Sequence, residues 1–279
     1  MSLIQWYPGH IAKAERQLKE HLKLVDVVLE VLDARIPLAS HHPRVNDWIG
    51  SKPRLLVLNR VDMIPESARQ AWVSWFKSQG ETIYFTNAKQ GEGVKAILKA
   101  AREVGEEINE KRKNRGLLPR PVRAVVIGLP NVGKSALINR LLGRKVVASA
   151  RRAGVTRQLQ WVRISDTLEL LDAPGIIPSR LDKQEDAVKL AICEDIGDAG
   201  YDNQRITAAL VDLVVEMQYD EILKSRYALD PRTMTGEEFI ERLAQTRYKE
   251  DKERATMQIL NDFRKGIMGA IPLELPPVG

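Results

Sequence analysis

The chain has 279 residues, 44% of them hydrophobic, enough to bury a full core and to make about two domains. Its one cysteine, Cys193, excludes a disulfide framework or a cysteine-rich zinc module, suits a reducing cytoplasm, and reads as a small buried hydrophobe. No basic segment followed by a long apolar run opens the chain and no uncharged stretch could span a bilayer, so a soluble cytoplasmic protein with no membrane span is expected.

In chain order, Val25–Leu32 is an apolar run ending in Asp33-Ala34-Arg35, the pattern of a buried parallel strand and its loop. Arg54–Leu58 is a second such run closing on Asn59. Helical spacing over Glu66–Gln79, a strand at Thr82–Phe85 and a helix over Val94–Arg112 follow. Lys111–Pro121, charged and bearing Pro and Gly, reads as a surface linker. Val122–Ile127 is a strand leading into a glycine-rich loop, and Ser135–Leu142 is the helix that leaves it. Trp161–Ile164 and Leu168–Leu171 read as a hairpin. Beyond about Arg180 the strand signals stop: Lys183–Ile196, Asn203–Glu216, Thr235–Gln245 and Lys249–Arg264 carry helical periodicity, and Pro272–Pro277 ends the chain. Alternating strands and helices predict a mostly parallel α/β sheet flanked by helices over residues 1–180, followed by a small all-helical domain over residues 181–279.

The +6 net charge is unevenly placed. Residues 1–180 hold 30 basic against 17 acidic side chains, a net +13, and residues 181–279 hold 13 against 20, a net −7. From Asn131 to Ser165 there is no acid, yet Lys134, Arg140, Arg144, Lys145, Arg151, Arg152, Arg157 and Arg163 are basic. A nucleotide accounts for one or two of these; a polyanionic partner such as RNA accounts for the surplus.

Gly128-Leu129-Pro130-Asn131-Val132-Gly133-Lys134-Ser135 fits the phosphate-loop pattern between a predicted strand and a predicted helix. There the main-chain N–H groups of Asn131, Val132, Gly133, Lys134, Ser135 and the following Ala136 would surround phosphates, with the helix N-terminus adding a favourable dipole. Lys134 would reach the β- and γ-phosphates and act in catalysis, while the Ser135 hydroxyl would ligate Mg²⁺. Asp172, opening Asp172-Ala173-Pro174-Gly175 at a strand end, would hold Mg²⁺ through water, and the Gly175 N–H would approach the γ-phosphate. Thr156 would supply the second Mg²⁺ hydroxyl. Upstream, Asn59-Arg60-Val61-Asp62 reads as a guanine-recognition element: Asp62 accepts from two donors that guanine presents and adenine lacks. Thr86-Asn87-Ala88-Lys89 at the next strand end would complete the base pocket, with Ala88 acting through its N–H.

These elements together resemble the GTPase superfamily. Their order, with the guanine element before the phosphate loop, resembles the circularly permuted branch. The usual Asn-Lys-x-Asp and Ser-Ala-Lys forms are altered, with Arg60 for the lysine, its stem expected over the base, and Asn87 for the serine. Trp6-Tyr7-Pro8-Gly9-His10, the Asp33-Ala34-Arg35-Ile36-Pro37 loop and the helical C-terminus narrow the likeness to the ribosome biogenesis GTPase A (YlqF-type) family. The resemblance implies a Mg²⁺-dependent GTPase that assists late assembly of the large ribosomal subunit, binding the precursor with GTP and leaving after hydrolysis, and a monomer away from the ribosome. Where small GTPases carry a water-orienting glutamine this chain has Ile176, and the resemblance implies that His10 takes that role, moved by the preceding Pro-Gly turn. Asn131 resembles the asparagine that coordinates K⁺ in potassium-activated GTPases; the alternative is a polar loop residue bonded to its own backbone. The acidic C-terminal region is expected to meet RNA through a local basic face such as Arg242, Arg247, Lys249 and Arg254, or else to contact ribosomal protein, with most phosphate contacts coming from residues 1–180. His21, His41 and His42 read as satisfied structural residues, the last two flanking the basic-loop surface where RNA is expected. A regulatory guanine-nucleotide-binding module with negligible turnover stays open as a rival, as does an ATP-dependent enzyme with no use for Asp62.

Overall fold

The computed structural model describes residues 8–143, 161–172, 183–196 and 201–277, with the main chain alone at residues 8–15 and 172. Six strands, β1 (Val27–Asp33), β2 (Arg54–Asn59), β3 (Ile83–Thr86), β4 (Val122–Ile127), β5 (Trp161–Ser165) and β6 (Leu168–Asp172), form one sheet in the order β3-β2-β1-β4-β6-β5. Neighbours pair parallel except β5, which returns antiparallel on β6 as the hairpin spacing predicts. Every residue of β1 is buried, as a central parallel strand covered on both faces requires.

The two-residue period of β1 divides the core. Val27, Leu29 and Val31 join the largest apolar cluster with α4 (Val94–Asn114) and α5 (Lys134–Leu141). Val28 faces the opposite side, with Leu18 and Leu22 of α1 (Pro8–Lys23) and Val45 and Ile49 of α2 (Val45–Ile49). Leu32 packs with Trp72 and Phe76 of α3 (Glu66–Ser78).

Five further helices follow: α6 (Gln184–Cys193), α7 (Asn203–Glu216), α8 (Asp220–Tyr227), α9 (Gly236–Arg247) and α10 (Lys252–Arg264). Asp202 caps α7 by accepting from the N–H groups of Gln204 and Arg205, and Thr235 with Glu238 forms a capping box on α9. The apolar faces of α6, α7, α9 and α10 join the same cluster as β1 and β4, so the helices share the core of the sheet.

Several expectations change. Residues 8–23 form a helix, and Pro8-Gly9-His10 is its first turn, not a free Pro-Gly turn. Proline suits that position because its missing N–H has no partner in a first turn anyway. Helices α2 and α8 also escaped the sequence reading, and α4 runs to Asn114, taking four residues of the expected linker. The chain end is no free tail: the N–H groups of Leu273 and Glu274 donate to the Arg35 carbonyl at 2.9 and 3.1 Å. The Glu274 carboxylate accepts from the N–H groups of Leu38 and Ala39 and pairs with Lys189 at 3.3 Å.

Candidate nucleotide site

The carboxyl ends of β1, β2, β3, β4 and β6 lie on one edge of the sheet, where ligands bind in open parallel folds. Register places Asp33 beside Asn59, Asn59 beside Thr86, and Val126, near the end of β4, beside Asp172. The phosphate loop leaves β4 and enters α5 at Lys134, one residue earlier than predicted.

Two glycines in the loop are demanded by close approach. A Cβ on Gly128 (φ +147°) would lie 2.4 Å from the Val31 carbonyl, and one on Gly133 (φ +105°) would lie 2.1 Å from Asn59 Nδ2. Lys134 Nζ donates to the carbonyls of Gly128 and Leu129 at 3.1 and 2.6 Å, so its ammonium lies across the loop. Val132 is fully buried and its N–H, expected at the phosphates, donates to the Pro130 carbonyl at 2.8 Å, whereas Ser135 and Ala136 are partly exposed.

Asn59 holds the site together. Its Nδ2 donates to the Val132 carbonyl at 2.8 Å, and its Oδ1 accepts from Thr86 Oγ1 at 3.1 Å and the Ala88 N–H at 3.0 Å. One amide at the end of β2 therefore ties the phosphate loop to the loop after β3. Asn59 and the Ala88 N–H, both expected to face the base, are engaged with each other. Asn87 accepts through its side chain from the N–H groups of Lys89 and Gln90, shaping the loop where serine is usual. Arg140 of α5 braces the same loop from outside, donating to the carbonyls of Ala88 (3.3 Å) and Lys89. Of the eight basic residues in the acid-free stretch, Lys134 and Arg140 serve the site itself, in line with the one or two expected there, and Arg163 pairs with Asp166; Arg144, Lys145, Arg151, Arg152 and Arg157 lie outside the described residues.

Asp62 sits in a single 3₁₀ turn, Val61–Met63, with its side chain exposed between the buried Val61 and Met63. The apolar neighbours fix the turn and present the acid outward; Val61 belongs to the core and not to the pocket wall.

The Arg60 guanidinium reaches past the base loop to the phosphate loop. It has left-handed backbone (φ 65°, ψ 39°), and its guanidinium donates to Asp33 Oδ2 at 2.9 Å and to the Asn131 carbonyl at 2.5 Å. Asp33 in turn meets the buried Arg35 in a bidentate pair, Nε to Oδ1 at 3.0 Å and Nη2 to Oδ2 at 2.7 Å, while the Arg35 N–H also donates to Oδ1. Burial alone would raise the Asp33 carboxyl, but the charges of Arg35 and Arg60 and the Arg35 hydrogen bonds hold it down to about 2. Arg35 also donates to the Cys193 carbonyl at 3.3 Å. Asn131 (φ 59°) turns its Nδ2 onto the Glu194 carbonyl at 2.8 Å, a partner in the helical region and not its own loop.

Sequence reading singles out Asp33 and Arg35 only as a motif and Arg140 only as part of a basic stretch, while Asp195, buried 3.6 Å from Arg60, is marked by nothing local. His41 pairs with buried Glu30 at 2.7 Å, and the His42 ring lies tilted against Trp48 with centroids 4.3 Å apart. Asp172 lies at the end of β6, its side chain outside the described residues; Thr156 and Gly175 lie outside them altogether. His10 is placed by its main chain alone.

A phosphate loop, an exposed acid on a base loop, and the order of these parts along the chain define a P-loop GTPase in circularly permuted form. The family described as "50S ribosome-binding GTPase" matches residues 123–254. Ribosome biogenesis GTPase A of Bacillus cereus is 36% identical over 280 residues, 98% of this chain and 94% of that protein. The Thermotoga maritima protein of the same name is 30% identical, covering 98% and 95%. YlqF from T. maritima, solved bound to GNP, superposes with a TM-score of 0.66 at 28% identity, covering 95% of this chain and 98% of the other. The chain belongs to the ribosome biogenesis GTPase A family, and is a GTP-binding, GTP-hydrolysing protein of ribosome biogenesis.

Proposed function

We propose that the protein acts in late maturation of the large ribosomal subunit, binding the precursor in its GTP state and leaving after hydrolysis. The observation that carries this reading is the joining of the phosphate loop to the helical region through Asn131 and Glu194, because a nucleotide cycle can then alter what the helices present. In this reading residues 1–180 bind and hydrolyse GTP and residues 181–279 contact the precursor. Arg242, Arg247, Lys249 and Arg254 are all exposed around the turn between α9 and α10, with Arg254 over the Tyr248 ring at 5.3 Å and Arg247 near Tyr227 at 5.9 Å. Exposed arginines of this kind suit RNA phosphates, while Tyr227 beneath Arg247 is buried and supports the face from within.

Asp62 reads the guanine edge, Asn59 and Asn87 shape its loop, and Lys134 stabilises phosphate charge. Ser135 in the first turn of α5, the helix that follows β4, and Asp172 at the end of β6, the parallel neighbour of β4, offer the hard oxygen donors that suit Mg²⁺, with Thr156 as a further ligand. Bound there, Mg²⁺ would neutralise phosphate charge. Asn131 would serve K⁺, and His10 would orient the attacking water. Among the described residues no helix is long and apolar enough to cross a membrane; we place the protein in the cytoplasm, as a monomer away from the ribosome. Co-sedimentation with large-subunit precursors in a GTP analogue but not in GDP is the expected result; equal sedimentation in both would overturn the cycle.

A further inference from the structure

The end of α6 meets the nucleotide site at three groups: the Cys193 carbonyl, the Glu194 carbonyl and the Asp195 carboxylate. Asp195 is completely buried, and among the described residues its oxygens receive no N–H or hydroxyl donor, its carboxyl facing that of Asp33. Its nearest cation is Arg60, whose Nη2 stands 3.6 Å from Oδ1 while donating to the Asn131 carbonyl at 2.5 Å. Nη2 of Arg60, which carries two N–H groups, therefore faces two acceptors, one on the phosphate loop and one on the helical region, and Nη1 reaches the Cys193 carbonyl of the helical region at 3.5 Å. Its other arm is fixed on Asp33 at 2.9 Å, and Asp33 is locked by Arg35. The guanidinium can turn about that anchor but cannot leave it.

We propose that Arg60 is the shared element of a latch between the helical region and the phosphate loop, with Asp195 competing against the Asn131 carbonyl for it. A movement of α6 by about 1 Å would bring Asp195 to ordinary hydrogen-bond distance. Arg60 would then be drawn off the Asn131 carbonyl, and the loop would lose its brace. Asn131 would feel the same movement through its side chain, because its amide is bonded to the Glu194 carbonyl, one residue before Asp195. The Arg60 cation finds an oxygen acceptor in both arrangements, and packed interfaces favour two discrete states over a graded one. Coupling of this kind is reciprocal: a partner that moves α6 alters nucleotide retention, and nucleotide on the loop biases α6. Arg60 and Asp195 are positioning residues; neither needs to touch the reacting atoms.

The latch rests on the reading of the loop as a GTP site, and its test keeps the two apart. In the full chain, release of a fluorescent GDP analogue and amide exchange over residues 190–195 would be measured with and without nucleotide. Asp195→Ala leaves Arg60 on the Asn131 carbonyl, so release should slow by about fivefold or more, and exchange at α6 should stop responding to nucleotide. Removing an unbonded buried carboxyl does not threaten the fold. Arg60→Lys keeps the charge but loses the planar fork needed to hold Asp33 and Asn131 together, so release should quicken. Unchanged release and an unchanged exchange response in both variants would overturn the latch. Failure of the parent to bind guanine nucleotide would overturn the GTP site and the latch with it, whereas binding with no effect on α6 would overturn the latch alone.

Discussion

Asp33 and Arg35 form a bidentate ion pair in which both side chains are wholly excluded from solvent. The pair stands at a junction: the Arg35 guanidinium lies 5.1 Å from the Phe263 ring of α10, and its carbonyl receives the N–H groups of the C-terminal segment. Both charges are paid for by mutual contact, so removing one strands the other in a dry interior. Arg35→Ala should cost about 3–5 kcal/mol of stability, and Arg35→Lys should fail to restore it because an ammonium cannot reproduce the planar fork. Urea unfolding measures this. A loss below about 1 kcal/mol would mean that water reaches the pair.

Asp33 and Asp195 titrate in opposite senses. Burial, and then the negative charge of Asp33, push the Asp195 carboxyl well above the usual carboxylate range. A carboxyl raised on folding contributes stability that is fully present below its unfolded value of about 4 and is lost as pH rises through the folded value. Asp33, held at about 2, contributes in the other direction: its share is present above about 4 and is lost as pH falls toward 2. Asp195→Asn should therefore flatten the decline in stability on the alkaline side and leave the acid side alone. Unfolding midpoints from acid to alkaline pH decide it, and parallel curves for parent and variant would contradict the assignment.

Base selection rests on Asp62, the exposed acid of the guanine loop. Asp62→Asn should shift preference from GTP toward xanthosine triphosphate, since an amide can donate to the 2-oxo group where the acid accepted from the amine. Binding of the two nucleotides is the measurement, and an unchanged preference for GTP would remove Asp62 from the base pocket.

What could be read in advance follows from the range of the interactions. The phosphate loop, the strands and the base loops are local patterns, and apolar runs such as Leu55–Leu58 announce themselves. The tie that Asn59 makes is not legible in the sequence, because its three partners, Thr86, Ala88 and Val132, come together only across β3 and the phosphate loop. The Arg35 contact with the Cys193 carbonyl spans 158 residues, and no spacing rule reaches that far. Helix α1 was hidden by Pro8 and Gly9, which as a pair suggest a turn but here begin a helix held by Leu18 and Leu22.

Asn131 carries the ion prediction. With Nδ2 turned to the Glu194 carbonyl, the amide oxygen is turned away from it and keeps its accepting lone pairs. Replacing potassium by sodium at equal ionic strength should slow GTP hydrolysis, and Asn131→Ala should blunt the difference. Equal rates of the parent in the two salts would leave Asn131 as an interdomain contact alone.

The last prediction concerns His10, whose place in α1 makes its role more specific. A hinge at Pro8-Gly9 is gone, so the histidine is carried by a helix. Leu18 and Leu22 seat that helix against Val125, Ile127 and Leu171, on the strands that lead to the phosphate loop and Asp172. The short connection from Lys23 to Val27 makes α1 run back antiparallel to β1. Sixteen helical residues rise about 24 Å, and the seven residues of β1 span about 23 Å. The first turn of α1 therefore lies at the level of the strands' carboxyl ends, where the phosphates would sit, while Ile176 can neither donate nor accept. His10→Ala should leave GTP affinity nearly intact and lower turnover by ~10²–10⁴-fold if the imidazole acts as a base. The variant should also accumulate on precursor particles. Leu18→Ala, which loosens the seat of α1 without touching His10, should lower turnover in the same direction by a smaller factor. If subunit-stimulated turnover of His10→Ala equals that of the parent, the water is oriented by another group, and the ribosome itself becomes the place to look for it.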